Sequence, residues 1–236
     1  MPRHDVIFRN PLRLLGGEPT TILPSGGFGA ISSRAGVGKT ALLVQIALER
    51  MLHDQDVVHL SLEDPLDKVK LWYKQVLNGL CLLYKKPLVE EMWDEAAPHR
   101  LIMTFNVEEF SVPKFEERLT DLVEQNIIKP TTLLVDGIDF EHTNPVPQLF
   151  ALKELAQKYQ LRVWFTIRTH RHEEVSDAGL PNQLQPVADL FDTIIDLQPS
   201  STDIQLSLLK CASGTEDKTE LVLHPPTMLV KNRYDD

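Results

Sequence analysis

The sequence predicts an α/β fold of three layers, with helices on both faces of a doubly wound, mainly parallel sheet. The first observation is that apolar runs of strand length alternate with segments of helical periodicity. The second is that these runs carry few polar residues on either face, as parallel strands buried on both sides do. The third is that short strands follow one another closely in the last third of the chain. That spacing predicts an antiparallel extension of the sheet.

Each element is predicted from its own local pattern. Apolar runs predict five core strands, at residues 27–32, 56–62, 101–105, 132–136 and 161–167. Apolar residues at three- and four-residue spacing predict the intervening helices, at 39–53, 66–80, 88–97, 115–123 and 148–159. Closely spaced strands with short turns predict the extension, at 193–197, 204–210 and 220–223.

The composition is that of one folded domain. The chain has 236 residues, of which 42% are hydrophobic and 25% charged, and this suits a single domain over 1–236 with a lead-in at 1–19. Two cysteines, Cys81 and Cys211, are too few for a disulfide framework and predict buried thiols. We expect a cytoplasmic protein without membrane contact, because no run approaches the roughly 20 apolar residues that span a bilayer. The net charge of −10 disfavours a broadly basic nucleic-acid platform.

A glycine-rich stretch directly follows the first predicted strand. It consists of Ser33, Arg34, Ala35, Gly36, Val37, Gly38, Lys39 and Thr40, and a helical run begins at Ala41. Strand, glycine-rich turn and helix form the context of a P-loop, in which backbone N–H groups bind phosphate. Lys39 adds a positive charge, and the hydroxyl of Thr40 can ligate Mg²⁺. The stretch predicts a nucleoside-phosphate site, although Ser33 stands where the pattern has glycine. The alternative is a chance Gly-Lys-Thr in an ordinary turn.

Carboxylates stand at the ends of two predicted strands. Asp136 closes an apolar strand about a hundred residues after the P-loop, and Glu63 follows the strand after the P-loop helix. Because parallel strands deliver their carboxyl ends to one edge, we expect both to lie near Lys39. This arrangement predicts that Asp136 supports Mg²⁺ and that Glu63 polarises the attacking water. The alternatives are a turn cap for Asp136 and a solvated side chain for Glu63.

The order of these motifs resembles the RecA-like ATPase core. The features that carry the resemblance are the P-loop, Ser61-Leu62-Glu63, Leu133-Leu134-Val135-Asp136 and Leu206-Ser207-Leu208-Leu209-Lys210. Over roughly residues 20–230, the chain is similar to DnaB-type helicases, the KaiC group and RepA-like helicases. The resemblance implies that the chain hydrolyses Mg-ATP, with Glu63 as general base and Asp136 supporting Mg²⁺ and water.

The same resemblance assigns roles to two basic residues and reveals one departure. Arg168 falls where these helicases place a phosphate-sensing glutamine, and Lys210 falls on the lysine offered to the nucleotide of a neighbouring subunit. A homo-oligomer is therefore expected to be possible. Ala212 stands where these helicases have an arginine finger. The substitution implies slow turnover unless Arg168, Arg171 or Lys210 replaces the finger.

The loops that hold single-stranded DNA in such motors have the wrong charge here. Neither lysine nor arginine occurs over residues 137–152 or 172–209, and the second stretch adds several acidic residues. Electrostatics supplies most of the affinity for a nucleic-acid backbone, so DNA binding is disfavoured at these loops. The alternative DNA surface is a lysine group made of Lys68, Lys70, Lys74, Lys85 and Lys86.

The sequence therefore predicts an ATP- and Mg²⁺-binding, slowly hydrolysing ATPase that is regulatory or coupled to an unidentified protein partner. One alternative is a DNA-dependent motor, suggested by the resemblance alone. A second is a regulatory module that binds nucleotide with little hydrolysis, suggested by Ala212 and the acidic loops. A P-loop kinase is less favoured, because Glu63 and the strands before Asp136 are typical of the hydrolase branch.

Overall fold

The computed structural model describes residues 22–83, 89–106, 109–138, 140, 144–170, 180–212 and 220–233. The predicted lead-in at 1–19 lies outside these residues. So do Arg171, Lys85 and Lys86, and residues 139, 141–143 and 172–179 of the two stretches without lysine or arginine. None of the described helices has the length and apolar character that crossing a membrane requires.

The strands of the described residues form one continuous sheet. They are β1 Phe28–Ser33, β2 Asp56–Ser61, β3 Arg100–Thr104, β4 Pro130–Asp136, β5 Arg162–Arg168, β6 Thr193–Pro199, β7 Ile204–Lys210, β8 Leu221–His224 and β9 Leu229–Asn232. Their spatial order is β3-β2-β4-β5-β1-β6-β7-β8-β9. All pairs from β3 to β6 are parallel, and those from β6 to β9 are antiparallel.

This topology confirms the α/β class, the mainly parallel sheet and the antiparallel C-terminal strands. One detail of the prediction was wrong. β6 was expected to belong to the antiparallel extension, but it pairs in parallel with β1, from Gly29 opposite Thr193 to Ser32 opposite Asp196. The antiparallel part therefore starts at β7. Strands in parallel and in antiparallel pairs have similar sequences. The close spacing of β6 and β7 therefore predicts only that these two strands pair with each other, and it gives no information on the other neighbour of β6.

Helices cover both faces of the sheet. They are α1 Lys39–Leu52, α2 Leu66–Leu83, α3 Val89–Ala96, α4 Val112–Glu124 and α5 Val146–Tyr159, with short 3₁₀ helices at Ala97–His99 and Gln185–Leu190. The apolar side chains of α1, α2 and α3 belong to one buried cluster, and those of α4 and α5 belong to a second cluster. The two clusters lie on opposite faces, which gives the three layers that the alternating pattern predicts.

The direction of the crossovers explains where a crevice opens. From β1 the chain passes through α1 to β2 and then through α2 and α3 to β3, moving towards one edge of the sheet. It returns through α4 to β4 and through α5 to β5, on the opposite face. Right-handed crossovers require this change of face when the direction reverses. In such doubly wound sheets, ligands bind beyond the carboxyl ends of the strands near this reversal.

Candidate functional site

The loop between β1 and α1 depends on two glycines. Gly36 has a φ of 76° and Gly38 a φ of 116°, a region that other residues rarely adopt. Gly38 is also crowded, because a Cβ atom there would lie 2.5 Å from Cδ2 of Leu223, whereas the space beside Gly36 is open. Gly38 accepts the first hydrogen bond of α1 through its carbonyl, from the N–H of Leu42 at 3.0 Å. Both glycines of the motif are therefore required by the backbone path.

Lys39 lies across this loop. Its Nζ donates to the carbonyl oxygens of Ser33 at 3.0 Å and Arg34 at 2.9 Å. Burial lowers the pKa of Lys39, an effect that the negative charges of Asp136 and Glu63 oppose. The ammonium group of Lys39 is thus partly buried beside the end of β1, where the charges of Asp136 and Glu63 act on it.

Asp136 is fixed by two hydroxyl groups. Thr40 Oγ1 donates to Oδ2 at 3.0 Å, and Thr166 Oγ1 donates to Oδ1. Asp136 itself is buried, with 8% of its surface exposed. Burial raises the pKa of Asp136, while the hydrogen bonds from Thr166 and Thr40 lower it. These bonds favour the charged form of a carboxylate that its surroundings would otherwise make harder to ionise.

Glu63 lies beside the turn that follows Asp136. The N–H of Leu62 donates to the Asp136 carbonyl at 2.8 Å, which fixes the end of β2 against the end of β4. Gly137 then turns with a φ of 96°, and a Cβ atom there would lie 2.6 Å from Cγ of Glu63. The Glu63 side chain itself is exposed. It is therefore held close to the buried Asp136 and open to solvent.

Most of the predicted site residues line one open cavity of about 240 Å³. The predicted residues that line it are Ala35, Gly36, Gly38, Lys39, Thr40, Glu63, Asp136 and Arg168. They come from the loop between β1 and α1 and from the carboxyl ends of β2, β4 and β5. This agrees with the expectation that parallel strands bring their carboxyl ends to one edge of the sheet. Arg168 is exposed at the end of β5 and borders both this cavity and a second, shallower groove that Arg34 also lines.

Other predicted residues lie outside the cavity lining. Ser33, Val37 and Ala41 are buried, so they support the loop through its backbone or its packing. Lys210 is not brought to the cavity. It lies opposite Ile194 near the start of β6, at the other end of the sheet, and its Nζ donates to the carbonyl of Ala188 at 3.0 Å. Its expected action on the nucleotide of a neighbouring subunit stays a prediction.

Seven residues that the sequence pattern did not predict for the site also line the cavity. They are Asp64, Lys68, Trp72, Gly137, Ile138, Thr166 and Met228. For Thr166 a signal existed, since it is a polar residue in an apolar strand, two positions before Arg168 and on the same face. Trp72 lies within the apolar spacing that predicts the helix at 66–80, and that spacing gave no sign of a role in the site. Met228 gave no local signal, because it reaches the cavity from the turn between β8 and β9.

The position of that turn is set by a buried glutamine of α1. Gln45 Nε2 donates to the carbonyl of Met228 at 2.8 Å, and the N–H of Val230 donates to Gln45 Oε1 at 2.9 Å. Gln45 is only 3% exposed. Met228 has a φ of 54°, which is uncommon for a residue with a side chain. The segment of β8 and β9 is thus hydrogen-bonded directly to α1.

The oxygen donors at the cavity suit a magnesium ion that shares its coordination with a phosphate. Thr40 and Asp136 offer a hydroxyl and a carboxylate side by side, and such hard oxygen ligands are those Mg²⁺ prefers. Among the described residues, no group of three or more His, Cys, Asp or Glu side chains could hold a metal ion. Mg²⁺ commonly takes one or two protein ligands and completes its shell with water and phosphate oxygens.

The lysine group proposed as an alternative DNA surface is described only in part. Lys68, Lys70 and Lys74 are exposed along α2, and Lys68 pairs with Asp64 at 2.8 Å. The pairing and the acidic side chains nearby reduce the positive charge that this helix can offer to a phosphate backbone.

Comparison with family models and with curated proteins gives no relative from which a function could be transferred. No protein-family model matches the chain, and no curated protein matches it. A functional proposal must therefore depend on the geometry of the cavity and on the sequence pattern.

Proposed function

We propose that this chain is a RecA-like, Mg²⁺-dependent ATPase that turns over slowly. The observation that carries the proposal is the meeting of Lys39, the Thr40–Asp136 pair and Glu63 at one cavity beside a glycine loop. These groups match the three requirements of nucleotide hydrolysis: charge for the phosphates, oxygen ligands for the metal, and a carboxylate for the water.

Each residue has a role that its position supports. The backbone N–H groups of the loop and the N-terminus of α1 bind the phosphates, and Lys39 adds its charge to them. Thr40 and Asp136 hold Mg²⁺, which neutralises charge on the phosphate oxygens when it is bound. Glu63, exposed beside Gly137, accepts a proton from the attacking water and orients it.

Arg168 is a described residue of the cavity that can stabilise the developing charge from within the same chain. It lines the cavity, and its charge acts on Lys39, whose pKa it helps to lower. An arginine finger contributes about three to five powers of ten in rate, and Ala212 stands at the position expected for one. With Arg168 as a partial replacement, we expect slow hydrolysis and a regulatory or partner-coupled role.

Steady-state phosphate release from Mg-ATP tests the proposal. We expect Glu63→Gln to lower the rate by at least about 100-fold, the lower bound typical of a general base, while nucleotide binding stays intact. Asp67→Asn is the matched control, since this exposed carboxylate lies four residues away and does not line the cavity. An unchanged rate in Glu63→Gln would contradict the assignment.

Two further results separate the alternatives. Addition of single-stranded DNA at low salt should leave the rate unchanged, whereas strong stimulation that Glu63→Gln abolishes would favour a DNA-dependent motor. Tight nucleotide binding without measurable phosphate release by the wild type would favour a regulatory module, the alternative that Ala212 suggests.

A further inference from the structure

We propose that Thr166 is a positioning residue that orients the Asp136 carboxylate for Mg²⁺. This inference rests on the proposed function, because it concerns how the same cavity holds the ion. Thr166 is not one of the residues on which the RecA-like resemblance rests. Its role is inferred from its contacts.

The hydroxyl of Thr166 has a fixed direction. It accepts a hydrogen bond from the N–H of Gly137 at 3.2 Å, and it donates its own proton to Oδ1 of Asp136. A hydroxyl has one proton, so the bond from Gly137 leaves that proton for the carboxylate. Thr166 is 4% exposed, and water therefore cannot easily replace either bond.

This arrangement gives the two oxygens of Asp136 different tasks. Oδ1 accepts from the buried Thr166, and Oδ2 accepts from Thr40, which is half-buried; both threonines line the cavity. Without the bond to Oδ1, the carboxylate can rotate about its terminal torsion, which has a broad energy minimum. Thr166 thus keeps Oδ2 beside Thr40, where both oxygens can bind one ion.

The position in the sheet makes Thr166 a rigid support. β5 lies between β4 and β1, and Thr166 pairs with Ile31 while its neighbour Phe165 pairs with Val135. A β-branched side chain in a central strand has few rotamers available. Thr166 can therefore hold the metal-binding carboxylate in one orientation. Loss of such an outer hydrogen-bond partner typically lowers metal affinity about 10- to 100-fold.

Binding of a fluorescent ATP analogue, measured in excess EDTA and in a magnesium titration, tests this role. Thr166→Val keeps the shape and removes the hydroxyl. For Thr166→Val, we expect the Mg²⁺ concentration that gives half of the magnesium effect on analogue binding to rise about 10-fold or more. The affinity of this variant for the analogue in EDTA should stay within about twofold of the wild-type value. Thr166→Ser, which keeps the hydroxyl, should recover most of the magnesium response.

Thr132→Val is the matched control. Thr132 is also a buried threonine on this face of the sheet, but its Oγ1 has no hydrogen-bond partner among the described residues. We expect wild-type magnesium dependence from it. If Thr166→Val and Thr132→Val respond alike to magnesium while the wild type binds Mg-ATP, the positioning role is wrong and the proposed function stands. If the wild type binds no nucleotide with or without magnesium, the proposed function itself is wrong.

Discussion

Two groups of buried polar residues lie on the same face of the sheet and differ in how they are satisfied. At the carboxyl edge, Asp136 is hydrogen-bonded by Thr40 and Thr166 beside an open cavity. In the middle of the sheet, His59 and Thr132 are enclosed, and His59 Nε2 and Thr132 Oγ1 have no hydrogen-bond partner among the described residues. The side chains of Asp136, Thr40 and Thr166 line an open cavity, whereas those of His59 and Thr132 do not.

The difference shows that a shifted pKa is insufficient to identify a site. Burial, and to a smaller extent the charge of Arg100, lowers the pKa of His59 to about 3. His59 nevertheless contacts the hydroxyl of Tyr73 at 3.0 Å, and the Arg100 guanidinium stacks 4.4 Å from the Tyr73 ring and 4.7 Å from the Trp93 ring. These contacts fasten α2 and α3 to the sheet. A functional site also needs a cavity and complementary groups that face it.

The strongest test of the comparison is removal of the lysine at the carboxyl edge. We expect Lys39→Ala to abolish nucleotide binding, because the loop would lose the cation that is proposed to face the phosphates. Binding of a fluorescent ATP analogue measures this directly. Lys74→Ala, which removes an exposed lysine outside the cavity, should bind as the wild type does. Unchanged binding by Lys39→Ala would overturn the whole site assignment.

Alanine substitutions at Gly36 and Gly137 distinguish two effects on stability at the carboxyl edge, namely backbone strain and crowding of the new side chain. Gly137→Ala adds a Cβ atom 2.6 Å from Glu63, whereas Gly36→Ala adds one in open space, and both positions have positive φ. Strain alone should lower the free energy of unfolding by about 1–2 kcal/mol in Gly36→Ala. Overpacking adds about 1–3 kcal/mol in Gly137→Ala. Urea denaturation measures both values, and equal losses would mean that Glu63 moves aside freely.

Acid should destabilise the fold through His59, which lies buried in the middle of the sheet. His59 has a folded pKa of about 3, against an ordinary value of 6.5. Between these values the unfolded state binds a proton that the folded state does not, so stability falls as the pH falls. The loss attributable to His59 is about 1.4 kcal/mol per pH unit below 6.5.

Urea denaturation between pH 6 and pH 4 measures this effect as a difference between two chains. His59→Gln keeps a hydrogen-bonding group near Tyr73 and removes the titration, so its stability should depend less on pH than that of the wild type. The other titrating groups act equally in both chains. Parallel curves for the two would show that His59 takes up its proton without unfolding.

The carboxyl edge was predictable because its signals are local. The P-loop is a contiguous stretch, and Asp136 and Glu63 each follow an apolar run that identifies a strand end. The rule that parallel strands share one edge then brings them together without knowledge of the strand order. The helix and strand boundaries agree within a few residues for the same reason, since periodicity is a local property.

The remaining features depend on contacts between distant segments. The parallel pairing of β6 with β1, the support of Asp136 by Thr166 and the approach of Met228 to the cavity all join residues separated by 30 or more positions. The hydroxyl of Thr132, which has no hydrogen-bond partner among the described residues, could not be distinguished in sequence from the bonded hydroxyl of Thr166. Both are threonines inside or beside apolar runs, and only the neighbouring strand determines their environment.

The bonds between Gln45 and the last two strands have a consequence for how the chain folds. Gln45 contacts Met228 and Val230 across separations of 183 and 185 residues, and Leu223 packs where Gly38 has no side chain. Contacts between such distant residues form slowly, because a long loop must close before they are gained. The glycine loop is encoded early in the chain, yet its surroundings are completed only when β8 and β9 have paired. We therefore expect the loop to reach its final structure late in folding.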